Sequence, residues 1–384
     1  MKTFLVSIIV VALVLLASCG GDSPPSDRNV DPDPDTHTTR SFYMGFTPWL
    51  YEASIAAQNA TYSRLEAHGD IIKHHLLGGI PWQEALDGQP YHANVEAELQ
   101  ARISRTPDNS EVFLAIDSLN SARTALAPYR GAMDNMPLTG DWATRTWSSQ
   151  EVIDAYIAYA EDMINRFEPR YFEYGTEASE LLLNDAAAFT DYLIFAEAVY
   201  GSLKSTYPNL TLIISIALKS PGSDEMQTIQ TNIGSLLAFS DVVGISVYPY
   251  AFFNHADKGD PANLPLYWLD QINDFSGDKP LAISETGWIA EDLDIAAFTF
   301  SESSSAAKQN AYLDELLIAA NDKQMEFVIW WSVTDFDTLW NVELAQDPVA
   351  KIWKDIGLYD ENQLPRSALQ TWDSWYDKTR QGNQ

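Results

Sequence analysis

Eight short, continuous apolar runs alternate with amphipathic segments of helical length. That pattern predicts an α/β chain closed into a single (β/α)8 barrel. The runs are Phe42–Phe46, Ile71–Leu76, Val112–Ile116, Tyr171–Gly175, Leu212–Ile216, Val242–Val247, Leu281–Ser284 and Phe327–Trp331. Because they are continuous rather than alternating, they suit strands covered on both faces, as parallel strands are. Helical segments at Ser149–Phe167, Ala186–Ser205, Thr228–Phe239 and Ala306–Lys323 lie between them. Strand alternating with helix implies a parallel sheet, and eight repeats imply closure. An open doubly wound sheet would usually carry a Gly-rich phosphate loop after the first strand, and Gly45-Phe-Thr-Pro-Trp49 is no such loop.

The element ends carry their own signals. Ser148-Ser149 before Glu151 and Ser304-Ser305 before the seventh helix read as N-caps. The segment from Asp117 to Ser148 is too long for a simple strand-to-helix loop and is expected to build a binding wall, with Trp142 and Trp147 as candidate contacts. Gly357–Arg366 reads as a turn that leads into a last helix, Ser367–Tyr376.

Ahead of the barrel, Lys2 precedes an apolar run from Phe4 to Leu16 that ends in Leu16-Ala17-Ser18-Cys19. The run is too short for a spanning helix and reads as a secretory signal covering residues 1–18. The Leu-Ala-Ser-Cys ending resembles a bacterial lipobox, which implies that Cys19 becomes a lipidated first residue in the cell envelope. Residues 19–40 are polar and Pro-rich and read as a flexible tether, leaving 41–378 for the barrel. Cys19 is the only cysteine, so an intramolecular disulfide and a thiolate metal cluster are both excluded.

The 384 residues carry 54 acidic and 23 basic side chains, a formal net charge of −31. Such a surface repels nucleic acid and disfavours strongly anionic polymers. No metal and no cofactor is expected, and the chain is expected to be a monomer.

In an eightfold barrel the chemistry collects at the C-terminal ends of the strands. Strand one ends in Thr47-Pro-Trp49, and strand two carries His74 and His75 and leads to Trp82. Strand three ends at Asp117 and strand four at Thr176-Glu177. Strand six ends at Tyr248, strand seven at Glu285 and Trp288, and strand eight at Trp331, with Asp335 and Asp337 beyond it. Of the two adjacent histidines only one can face the barrel interior, and His74 is taken as the substrate contact. Two carboxylates at strand ends, ringed by tryptophans, suit acid–base and nucleophilic work on a sugar held by aromatic faces.

The order Gly-Thr-Glu177, Asp241-Val-Val-Gly-Ile-Ser-Val-Tyr-Pro249, Ser284-Glu-Thr-Gly-Trp288 and Gly357-Leu-Tyr-Asp…Trp372 resembles clan A, the barrel-fold retaining glycoside hydrolases. The resemblance implies Glu177 as acid/base and Glu285 as nucleophile, about 5–5.5 Å apart. It also implies that Tyr248 donates a hydrogen bond to Glu285. Most members of the clan have Asn before the acid/base, where this chain has Thr176; certain mannanases are similar to the Thr version. Thr176, Tyr248, Trp49, Trp82, His74, Asp117, Trp288 and Trp331 are the expected substrate-binding residues. The expected substrate is a neutral β-linked glucan, mannan or galactan. A surface glycan-binding lipoprotein without catalysis and a transglycosylase sharing the covalent intermediate remain open as alternatives.

Overall fold

The computed structural model describes residues 37–381. The signal segment, Cys19 and the tether up to residue 36 lie outside the described residues. Eight parallel strands close into a barrel: β1 (Tyr43–Phe46), β2 (Ile71–Leu76), β3 (Glu111–Ile116), β4 (Tyr171–Gly175), β5 (Thr211–Ala217), β6 (Val242–Val247), β7 (Leu281–Thr286) and β8 (Phe327–Trp330). Each strand pairs with its sequence neighbour and β8 pairs with β1, the (β/α)8 architecture. At the β1–β2 crossing the backbones approach so closely that a Cβ on Gly45 would lie 1.8 Å from the Ile71 carbonyl oxygen. Only glycine fits there.

The helical layer follows the predicted pattern. Gln150–Phe167, Ala186–Thr206, Ala306–Asp322 and Ser367–Tyr376 are helices. Ser305 caps its helix by accepting from the Lys308 amide. The segment expected as one helix over 228–239 is instead two, Asp224–Asn232 and Gly234–Leu237. The first begins four residues early because the Ser223 hydroxyl caps the Met226 amide, which lets Met226 and Ile229 join the buried stripe. Among the described residues no helix is long and apolar enough to cross a membrane.

The folded unit reaches further at both ends than the 41–378 read from sequence. Thr39–Arg40 pairs in parallel with Thr379–Arg380. Arg40 is buried and forms a 2.7 Å ion pair with Asp70. His37 packs against Trp375 at a ring distance of 5.7 Å. These contacts make residues 37–40 part of the barrel's base rather than of a tether.

Inside the barrel, side chains fall into layers. Tyr43, Ile71, Phe113, Tyr171, Ile213, Val242, Ala282, Phe327 and Ile329 form an apolar plug at the N-terminal end. Phe327 lies at its centre, with ring distances of 4.8 Å to both Phe113 and Tyr171. Above the plug the interior turns polar, and the site begins there.

Candidate active site

Strand parity decides which side chains reach the barrel mouth. On β2, Ile71 belongs to the interior plug, so Lys73 and His75 follow it inward while His74 faces out. His74 is buried in the helical layer, bonds to the Thr106 hydroxyl at 2.7 Å and packs on Phe167. Burial and the nearby Arg102 hold its imidazole well below the ordinary value, so it stays uncharged. The substrate contact expected of His74 does not fit this placement; the inward histidine is His75, 3.0 Å from Asp117.

Parity alone would not deliver Glu285 to the interior, because Ala282 faces the plug and Ile283 faces out. The register between β7 and its neighbours skips one residue at Ser284. This bulge turns Glu285 inward, where its Oε1 accepts from the Tyr248 hydroxyl at 2.8 Å and its Oε2 lies 3.6 Å from the Lys73 ammonium. A similar skip at the end of β4 precedes Thr176 and Glu177. Glu177 itself occupies the left-handed region (φ 49°), a conformation that costs a non-glycine residue about 1–2 kcal/mol. The strain is held by the Glu177 amide, which donates to the Ser215 hydroxyl at 2.8 Å, and by the Ala178 amide on the Ser215 carbonyl at 3.0 Å. The Glu177 carboxylate accepts from Ser246 at 2.7 Å and from Arg123 at 3.3 Å.

Arg123 also contacts Asp117 at 3.2 Å, so one guanidinium bridges the ends of β3 and β4. Burial works against the charged form of Asp117, but Arg123 and His75 outweigh it and hold that carboxyl far below the carboxylate range. Burial pushes the Glu285 carboxyl up, and the Glu177 charge adds to this. Lys73, His75 and the Tyr248 hydrogen bond pull the other way. Burial and the Glu285 charge lift the Tyr248 phenol well above its ordinary value, so it remains a neutral donor. The Glu177 charge therefore acts on Glu285 across the mouth.

The expected tryptophans divide. Trp49 is half-buried on the rim, 4.7 Å from Trp331, and its indole N–H has no partner among the described residues. Trp331 continues to Trp353 at 6.1 Å, and Trp353 packs on Tyr248 at 5.8 Å. The aromatic line thus runs from the rim to the hydroxyl that holds Glu285. Trp82 and Trp288 do not join it. Trp82 is fully buried, stacks on Trp142 and donates to the Ala127 carbonyl. Trp288 is fully buried and stacks on Tyr312 at 4.6 Å. Both anchor loops. Trp147 does the same, packed edge-on against Tyr192. Thr176 is buried beside Glu177, and its side chain helps hold the Asp117 carboxyl below its ordinary range.

Asp335 is tied to Arg366 and accepts from the Gly357 amide at 2.7 Å, and Asp337 pairs with Lys354. The carboxylate groups Glu291–Asp335–Glu361 and Asp335–Asp337–Asp355 come within cation-holding distance, and Arg366 already pairs with Glu291 and Asp335 and Lys354 with Asp337 and Asp355. Sequence reasoning missed Lys73, Glu173, Arg123, Ser215 and Ser246. Lys73 and Glu173 had a signal: each is a lone charge in the middle of an apolar strand.

No protein-family model matches the chain, and no curated protein sequence matches it. Its structure is similar to solved glycoside hydrolases at low identity. The Ignisphaera aggregans GH53 catalytic domain superposes with a TM-score of 0.58 at 15% identity, covering 91% of this chain and 99% of that one. The exo-β-1,4-mannosidase Op5Man5 from Opitutaceae bacterium strain TAV5 gives 0.58 at 14% identity, over 88% of this chain and 59% of that one. An endo-laminarinase from Formosa Hel1_33_131 gives 0.55 at 16% identity, covering 90% and 91%. These likenesses establish the (β/α)8 barrel as the shared fold.

Proposed function

We propose that the chain is a retaining glycoside hydrolase, with Glu285 as nucleophile and Glu177 as acid/base, acting on a neutral β-linked glycan of the glucan, mannan or galactan class. The observation that carries the reading is the placement of Glu177, just after β4, and Glu285, on β7, at one barrel mouth, with the Tyr248 hydroxyl on Glu285. In the first step Glu285 attacks the anomeric carbon while Glu177 gives its proton to the leaving oxygen. In the second, Glu177 takes a proton from water, which displaces the Glu285 ester with net retention. Tyr248 and Lys73 stabilise the Glu285 carboxylate before attack and after its release.

Charge supports a neutral substrate. Among the described residues, the cationic or imidazole partners of Asp117, Glu173, Glu177 and Glu285 are Lys73, Arg123 and His75, so a uronate would meet excess negative charge. The Leu16-Ala-Ser-Cys19 segment supports a lipid anchor at the bacterial envelope.

The test is reducing-sugar release across plant, algal and fungal β-glycans, with Glu285→Gln as control. Turnover that is abolished in the variant, with binding retained, supports the reading. Equal turnover in both proteins contradicts it. Thr176 and the Arg123 bridge on Glu177 favour a second reading, a glycan-binding lipoprotein without catalysis. Tight binding with no reducing ends released over days would select it. Longer products at high substrate concentration would instead mark a transglycosylase.

A further inference from the structure

We propose that Glu173 and Lys73, buried beneath the mouth, form a clamp that positions the nucleophile by holding the β7 bulge and by dividing one ammonium charge between two carboxylates. The inference rests on Glu285 being the nucleophile. Lys73 and Glu173 are both 0% exposed, 3.1 Å apart, one layer above the apolar plug. The same ammonium donates to the Ser284 carbonyl at 3.1 Å and lies 3.6 Å from Glu285 Oε2. Ser284 is the bulge residue, so Lys73 grips the backbone feature that turns Glu285 inward and also grips the carboxylate it delivers. The Phe113 ring, 5.0 Å from the ammonium, closes the far side.

Stability alone does not explain such a pair. A buried ion pair is often no better than the apolar side chains that would fill its space, and the adjoining layer is apolar throughout. Among the described residues, Lys73, at Oε2, is the one partner of the Glu173 carboxylate, and Oε1 is left without one. It therefore tethers Lys73 and competes with Glu285 for its charge. Among the described residues, the charged or titratable groups facing Glu285 enter this balance: Lys73 and His75 from β2, Glu177 after β4, Tyr248 and Tyr250 after β6 and Arg123 from the β3 loop. Asp117 and Glu173 act through Lys73.

The signs follow. Without the cation, the Glu285 carboxylate is less favoured, so the acid limb of kcat/KM moves to higher pH. Without the Glu173 charge, Lys73 serves Glu285 alone and the limb moves to lower pH. A merely structural pair predicts no movement in either direction. The variants are Lys73→Met, Glu173→Gln and the double change K73M/E173M, which removes both charges at similar volume and remains informative if Lys73→Met alone does not fold. Two readouts are compared: the pH profile, and a 13C NMR titration of the Glu285 carboxyl assigned by its loss in Glu285→Gln.

The clamp predicts a rise of about 1–2 pH units for Lys73→Met and for the double variant, with kcat falling more than KM changes. It predicts a fall of about one pH unit for Glu173→Gln. Folded variants whose Glu285 titration and acid limb both match wild type overturn it. A Glu285 titration that moves as stated, in a protein that cleaves no glycan, keeps the clamp and overturns the enzymatic reading instead.

Discussion

The two ends of the barrel are built from the same eight strands and have opposite characters. The N-terminal end holds nine plug residues, with Phe327 edge-to-face against Tyr171. The C-terminal end holds Asp117, Glu177 and Glu285, paired with His75, Arg123, Lys73 and Tyr248. The plug resembles any protein core: its groups gain from leaving water and ask nothing of direction. The mouth is the reverse. It contains a left-handed Glu177, a bulge at Ser284 and a carboxylate that burial makes reluctant to ionise. Stability is concentrated at one end, and strain and charge at the other.

That contrast can be broken by substitution, most severely at the mouth. Glu285→Gln should lower kcat by at least about 10⁴-fold, because no covalent intermediate can form. The same change should raise the thermal midpoint at neutral pH. A carboxyl whose folded pKa is raised opposes folding at every pH where it is ionised, and the amide removes that opposition. Calorimetry at pH 7 measures the sign, and a lowered midpoint would show that Glu285 contributes to stability after all. Glu177→Ala should cost about 10²–10⁴-fold on glycosides with poor leaving groups. It should cost far less on activated aryl glycosides, with azide restoring part of the second step.

Phe327→Ala, at the other end, should destabilise by about 3–5 kcal/mol in denaturant unfolding while kcat per folded molecule stays close to wild type. A large loss of kcat with little loss of stability would dissolve the division between the two ends. Tyr248→Phe removes one charge-assisted hydrogen bond worth about 1.5–3 kcal/mol. It should lower kcat/KM by about 10- to 100-fold and move the acid limb to higher pH. The wild-type profile itself should be bell-shaped. Its acid limb should lie above the usual carboxylate range, with activity lost as pH falls through the raised Glu285 value. The smallest effect belongs to His74→Ala, which faces away from the mouth: turnover should change less than about twofold.

The sequence carried the architecture well because each barrel strand is a continuous apolar run with a helix-length partner, a pattern that one residue cannot hide. Glu177 and Glu285 were legible for a related reason, since each ends such a run. Orientation was harder. Choosing between His74 and His75 required the phase of β2, which Lys73 supplies once it is seen to point inward beside Ile71. Trp82 and Trp288 follow the strand ends in sequence, yet turns carry both back into the wall, and nothing in their spacing shows that. Arg123 was invisible because the Asp117–Ser148 loop has no period to read, although its guanidinium bridges two carboxylates of the site. Residues 37–40 looked like the end of a polar tether until Arg40 found Asp70 across the base.

The central claim is that Glu285 forms the covalent bond to sugar. Incubation with a 2-deoxy-2-fluoro aryl β-glycoside of the sugar selected by the panel, followed by peptide mapping by mass spectrometry, tests it directly. The account predicts one fluoroglycosyl adduct, on the peptide containing Leu281–Trp288 and at Glu285, with activity lost in proportion. An adduct on another residue, or turnover that never passes through an adduct and inverts the anomeric centre, would contradict it.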